Sequence, residues 1–212
     1  MAMIWTTPPA ATTKTNPDDE RALRKRWTRE DCDFLERVGL LKERYELLDG
    51  EIILKVGQNQ PHAMTVTRLF AWLISVFGVA RVQTQTTIEI AHDDRPTNCP
   101  QPDAFVLARP DYEIKAIPNS GVDIVLVAEV SDATLRDDLQ TKAGLYARAG
   151  IADYWVVDVT GRRLLIYRRP EQGRYAEVVS YGEDETAAPL AAPSANVRIG
   201  DLLPPSTNAV SA

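Results

Sequence analysis

Cysteine is scarce in this chain of 212 residues. Only Cys32 and Cys99 occur, far apart and in no CxxC arrangement, so the sequence supports neither a disulfide framework nor a thiolate zinc site. Long apolar runs are missing as well. The longest helical one, Val66 to Ala80, is too short to span a bilayer and carries Arg68. The opening MAMIWTTPPAATTK has no basic stretch followed by an apolar one, so no secretory signal is expected. These absences predict a reducing, cytoplasmic setting and no membrane partner. An excess of positive charge is lacking too. The net charge is −6, and residues 31–181 hold 17 Lys and Arg against 22 Asp and Glu. Proteins that neutralise many phosphates are usually basic. Any nucleic-acid contact must therefore run through a local basic strip and a metal, or be weak.

What is present is ordinary globular material. About 44% of the residues are hydrophobic and 25% charged, enough for one domain with a sizeable core and no staples. Residues 1–20 are rich in Thr, Pro, Ala and Asp without an apolar period, which predicts a disordered leader over 1–27. The domain is expected over 28–181. Beyond Tyr181 the composition drifts to Ala, Pro, Ser and acidic residues, which predicts a flexible tail over 182–212.

Within the domain, Thr28 followed by Asp31 resembles a helix start, with Cys32, Phe34, Leu35 and Val38 as the apolar side. Arg44 to Val56 reads as a hairpin turning at Asp49-Gly50, the dipeptide that tolerates two positive φ angles. Val66, Leu69, Phe70, Leu73, Ile74 and Phe77 make one helical stripe that Gly78 closes. Arg81 to Ile90 alternates as a strand, with Val82, Thr84, Thr86, Ile88 and Ile90 on one face. Strands are also expected at 103–108, 124–130, 152–159 and 163–169, the last as the outer strand. A helix is expected from Leu135 to Ala149, stopped by Gly150. The order predicts a mixed sheet with helices packed on it.

The chemistry centres on acids. Asp103 follows Pro102 at the mouth of one strand, and Glu129 lies near the end of the next, with Ser131 two residues on and on the same face. If these strands are neighbours, the carboxylates meet and repel unless a cation sits between them or one takes a proton. Paired carboxylates suit Mg²⁺ or Mn²⁺, which keep several waters, activate one of them and stabilise charge on a phosphate. Asp103 alone is equally a solvated or salt-bridged strand residue. Glu129 ends a strongly apolar run, where an unpaired charge is costly. Asp138 and Lys142 are four apart on the following helix. They either form a simple surface ion pair or turn Lys142 back toward the carboxylates.

Several segments in this order resemble the Uma-type restriction endonucleases, a bacterial group within the PD-(D/E)xK nuclease superfamily. They are Tyr45 to Glu51 (YELLDGE), His62, Gln101-Pro102-Asp103 and Val127 to Ser131 (VAEVS). Asp138 with Lys142, Tyr146, Gly150 and Asp153 to Asp158 (DYWVVD) follow. The resemblance covers roughly residues 44–168. It implies an α/β (α+β) restriction-endonuclease-like fold, a mixed central sheet flanked by helices with an N-terminal β-hairpin. It also implies metal-dependent hydrolysis of nucleic-acid phosphodiesters, with DNA the expected substrate. Asp103 matches the PD aspartate and Glu129 the second acid, both as metal ligands. The lysine usually found two residues after that acid is replaced by Ser131, and Lys142 matches a lysine moved onto the next helix. Glu46 matches a glutamate typical of the group, either a further acidic ligand or an exposed strand residue. His62 either contacts the site or starts its helix. Arg162, Arg163, Arg168 and Arg169 are candidate phosphate contacts or a solvated hairpin. The leading expectation is a Mg²⁺- or Mn²⁺-dependent endonuclease. The alternative is a weak or inactive nuclease-fold module that binds nucleic acid or protein. A homodimer is compatible with the hairpin and edge strands.

Overall fold

The structure is a computed structural model that describes residues 25–206 except 56, 58 and 133. Residues 1–24 of the predicted leader and residues 207–212 of the predicted tail lie outside it, as does Val56 at the end of the predicted hairpin.

The chain enters through helix α1 (Arg29–Arg37), started by Thr28 and Asp31. The Thr28 side chain accepts from the Asp31 N–H, and the Asp31 carboxylate accepts from the Thr28 N–H. Cys32 is buried, but Phe34 and Val38 are about half exposed, so the apolar side of this helix is narrower than the spacing predicted. Strands β1 (Tyr45–Leu48) and β2 (Glu51–Leu54) form the expected hairpin. Asp49 and Gly50 both have positive φ, 50° and 77°, as a two-residue turn matched to strand twist requires. Helix α2 (Gln60–Phe77) begins a turn earlier than its stripe suggests. Asn59 caps it by accepting from the His62 N–H, and Pro61 sits in the first turn, where its missing donor costs nothing.

A six-stranded sheet follows in the order β3-β4-β5-β6-β7-β8: β3 (Val82–Gln83), β4 (Ala104–Leu107), β5 (Ile124–Ser131), β6 (Asp153–Asp158), β7 (Arg163–Glu171) and β8 (Arg174–Gly182). Only β5 and β6 run parallel, and their crossover carries α3 (Leu135–Asp137), a π-helical turn (Asp138–Lys142) and α4 (Ala143–Arg148). β6 is buried along its whole length, as its apolar run predicted.

The sheet separates two apolar layers. Leu69 and Leu73 of α2 pack on one face with Val106, Ala128, Trp155 and Ile166. Tyr146, Leu145, Phe105, Val127, Tyr154 and the hairpin's Leu48 fill the other. Among the described residues, no helix is long and apolar enough to cross a membrane.

Three expectations need correction. The strand read over 81–90 is only two residues long. Gln85 has φ of 50°, which breaks the alternation, so Val82 joins one core layer while Ile88 and Ile90 join the other. β7 is not the outer strand. β8 lies beyond it, and its mostly exposed residues gave no clear period. The flexible tail does not begin at 182. Strands β9 (Thr186–Ala187) and β10 (Val197–Arg198) pair, helix α5 (Ile199–Leu202) follows, and Ala187, Val197, Ile199, Leu202 and Leu203 are core residues. Buried Asp153 accepts from the Leu190 N–H at 2.8 Å, and its partner Arg168 donates to the Ala188 carbonyl at 2.7 Å, which ties this segment to the sheet.

Candidate active site

Strands β4 and β5 run antiparallel with Ala104 opposite Ala128, so Asp103 and Glu129 stand opposite one another one step further along. Opposed residues of an antiparallel pair share a face, and here it is the face covered by the hairpin and by the 135–148 crossover. Both carboxylates line a cleft of about 610 Å³, together with Glu46, Lys55, His62 and Lys142.

Asp103 is buried. Its Oδ2 accepts from the Val130 N–H at 2.9 Å and lies 3.6 Å from His62 Nε2. Burial alone would raise its pKa, but the His62 contact and the Val130 N–H outweigh it and hold the carboxyl below its ordinary range. His62 is likewise pulled down by burial, and Asp103 more than reverses this, leaving it above its ordinary value.

Glu129 is more deeply set. Its Oε1 accepts from Tyr146 Oη at 2.9 Å and lies 3.0 Å from Lys142 Nζ. Burial pushes this carboxyl up to about 8. Lys142 opposes the rise, and the neighbouring acids Asp138, Glu46 and Asp103 add to it. Tyr146, also buried, is pushed well above its ordinary value by burial and by Glu129.

Lys142 is the hub. Its ammonium lies 3.1 Å from Glu46 Oε2, 3.0 Å from Glu129 Oε1 and 3.3 Å from Asp138 Oδ1. Those acids come from β1, β5 and the π-helical turn. Burial disfavours the charge, but Glu129, Glu46 and Asp138 outweigh it and keep Lys142 well above its ordinary value. Asp138 is itself buried and accepts from Ser131 Oγ and, at 2.8 Å, from Thr134 Oγ1. Ser131 thus holds the acid that pairs with Lys142. The Asp138–Lys142 pair is no surface ion pair.

Glu46 is buried rather than exposed. Its Oε1 accepts from the Gln101 N–H at 2.7 Å, and Lys55 and Lys142 both lie 3.1 Å from its Oε2. Sequence reasoning did not single out Lys55, and it met Tyr146 only as part of a resemblance. Lys55 directly follows β2, after the apolar Ile53 and Leu54, but without the hairpin's packing nothing set it apart. Tyr146 lies four residues after Lys142, on the same side of the crossover, and that spacing was the available signal.

The structure brings Glu46, Asp103, Glu129, Lys142 and His62 to one cleft. It takes the late arginines elsewhere. Arg162 pairs with Glu183, Arg163 with Asp158, Arg168 with Asp153 and Arg169 with Glu171, and none lines the cleft.

Among the described residues, no three His, Cys, Asp or Glu side chains are gathered in a spacing that holds an ion by themselves. Asp103 Oδ1 and Glu129 Oε2, however, take no hydrogen bond from the described residues, and both side chains border the cleft. Two carboxylate oxygens with water completing the shell is a donor set that Mg²⁺ accepts. The residues present therefore fit a divalent cation of that kind.

A six-stranded mixed sheet flanked by helices, with an N-terminal hairpin, is a restriction-endonuclease-like fold. The sequence pattern of the Uma2 family, described as "putative restriction endonuclease", matches residues 34–199. This chain belongs to that family, and membership supports a nuclease function. The fold is shared with a crystal structure described as a "putative nuclease belonging to DUF820" from Anabaena variabilis. That chain is 17% identical, with a TM-score of 0.59, and the match covers 79% of this chain and 96% of the other. No curated protein matches this chain.

Proposed function

We propose that this protein is a metal-dependent endonuclease that hydrolyses phosphodiester bonds of DNA, with Asp103 and Glu129 as the ligands of a Mg²⁺ or Mn²⁺ ion. The observation that carries the reading is the opposition of these two acids where β4 and β5 pair, each lining the cleft with one oxygen that takes no hydrogen bond from the described residues, and with Lys142 3.0 Å from Glu129. When bound, the cation would supply Lewis-acid polarisation of the phosphoryl group and offset the negative charge gathering there.

The chain's own residues do the rest. His62 and the Val130 N–H keep Asp103 ionised and fixed in direction. Tyr146 donates to one oxygen of Glu129 and fixes the carboxyl in direction. Lys142 brings a fixed positive charge beside the reacting centre, where it orients an attacking water or stabilises the crowded phosphate. The crossover packed over the sheet limits water around these groups, which strengthens each electrostatic contact.

The test is nicking of supercoiled plasmid with Mn²⁺ or Mg²⁺ beside the Asp103→Ala and Glu129→Ala proteins. The parent should cut only with metal, and each variant should lose at least about a hundredfold in rate. Cutting that survives both substitutions would reject the assignment.

A second reading is a nuclease-fold module that binds nucleic acid or protein without cutting it. One observation favours it: Lys142 already places a cation among three of the acids, in competition with any metal ion. A melting temperature indifferent to Mn²⁺ supports that module, and a clear rise supports the enzyme.

A further inference from the structure

Glu46 differs from the other acids of the cleft in how its oxygens are used. Oε1 accepts from the Gln101 N–H at 2.7 Å, and Oε2 faces two ammonium groups, Lys55 and Lys142, each at 3.1 Å. Lys55 also donates to the Gln101 carbonyl at 3.3 Å. The main chain of Gln101 is therefore gripped on both sides of its Cα, its N–H by Glu46 and its carbonyl by the lysine that Glu46 holds. Pro102 comes next, with its fixed φ, and then Asp103. The grip is reinforced one step back, where the Cys99 N–H donates to the Leu47 carbonyl at 2.7 Å and lays the 99–101 segment along β1.

Two consequences follow. A divalent cation brought against Glu46 Oε2 would meet two positive charges at contact distance, and Oε1 already holds an amide. By contrast, Asp103 pairs with no lysine among the described residues, and Glu129 meets only one, Lys142 on Oε1, while its Oε2 takes no hydrogen bond there. The second consequence concerns Lys142. Glu46 approaches it from the hairpin, and Glu129 from the sheet, so the ammonium is held between β1 and β5 rather than swinging with its own helix.

We infer that Glu46 is a positioning residue and not a metal ligand: with Lys55 it clamps the Gln101 peptide that leads into Asp103, and it fixes Lys142 against Glu129. This rests on the metal-dependent nuclease reading for its effect on catalysis, but the clamp itself stands on the contacts above.

The decisive variant is Glu46→Gln, which keeps an acceptor for the Gln101 N–H and loses the charge that balances the two lysines. Mn²⁺ binding to the full chain is measured by calorimetry, and plasmid cleavage gives kcat and KM. The expected result is Mn²⁺ affinity within about threefold of the parent, with kcat lowered about tenfold or more and KM nearly unchanged. Asp103→Ala serves as the comparison for a lost ligand. Mn²⁺ binding weakened in Glu46→Gln as far as in Asp103→Ala would overturn the inference, as would an unchanged kcat. If Glu46→Gln does not fold, Lys55→Met carries the same comparison, since Lys55 lies on the cleft wall and is partly exposed.

A parent that neither binds Mn²⁺ nor nicks plasmid would instead defeat the metal-dependent reading. The clamp is then decided by amide hydrogen exchange at Gln101. Exchange should be about tenfold or more faster in Glu46→Ala than in the parent and nearly unchanged in Glu46→Gln. Equal exchange in all three proteins would overturn the clamp.

Discussion

Lys142 shows how much a single side chain can carry. An ammonium taken out of water is tolerable only where opposite charges surround it, and here Glu46, Glu129 and Asp138 do so. Replacing it with alanine leaves those carboxylates buried and uncompensated, which should cost about 3–5 kcal/mol in urea unfolding at neutral pH. Tyr146 acts more locally. Tyr146→Phe removes only the hydroxyl that donates to Glu129, so stability should fall by about 1 kcal/mol. Its cleavage rate should fall by about tenfold, because the Glu129 carboxyl is no longer held in direction. Melting curves and plasmid nicking on the same preparation separate the two effects. At this scale the acids were legible, with Lys142 and His62 as candidate partners, and the remaining partners were not. Asp103 and Glu129 announce themselves as charges at the ends of apolar runs. Lys55, Tyr146 and the Gln101 peptide become visible only when the hairpin and the crossover fold over the sheet, through contacts far apart in sequence.

Elements with a local cause in the sequence were read correctly, and those whose backbone departs from the period of the sequence were not. The hairpin turn at Asp49-Gly50 and the capping box at Thr28 have local causes, and both were legible. The strand expected over 81–90 failed because one left-handed residue, Gln85, reverses which side the following side chains face. The 135–149 helix was found, but its π-helical turn was not, since residue spacing alone does not reveal a widened turn. Helix α1 allows a prediction of sign. The Thr28 N–H and hydroxyl, together with Lys25, hold Asp31 below its ordinary pKa despite the opposing effect of desolvation. The folded helix therefore binds this proton less readily than the unfolded chain. The cap's contribution is full above the ordinary carboxylate range and is lost as pH falls through the depressed value. Amide exchange at Cys32, whose N–H donates to the Thr28 carbonyl at 3.0 Å, should lose protection across that acid window, after correction for intrinsic exchange rates. In Asp31→Asn the window should disappear.

The whole molecule extends further along the chain than its composition suggested. Residues 186–203 are short of strong period and rich in Ala and Pro, yet they cover the sheet face that bears Trp155 and α2. Composition reports the average polarity of a segment, whereas burial here depends on a few well-placed side chains such as Ile199, Leu202 and Leu203. A chain ending at Gly182 should therefore unfold in circular dichroism at ordinary temperature. Each of these large aliphatic side chains contributes about 1.5–3 kcal/mol by burial, and the buried Asp153–Arg168 pair loses two of its main-chain partners. A truncated protein that melts like the parent would contradict this. The same arrangement bears on synthesis. A nascent chain emerges from the ribosome in order, and part of the layer over the Trp155 face comes from residues 187–203, behind every strand of the sheet. The sheet cannot be sealed until that segment has emerged, and until then its apolar face stays open to chaperones and to other unfinished chains.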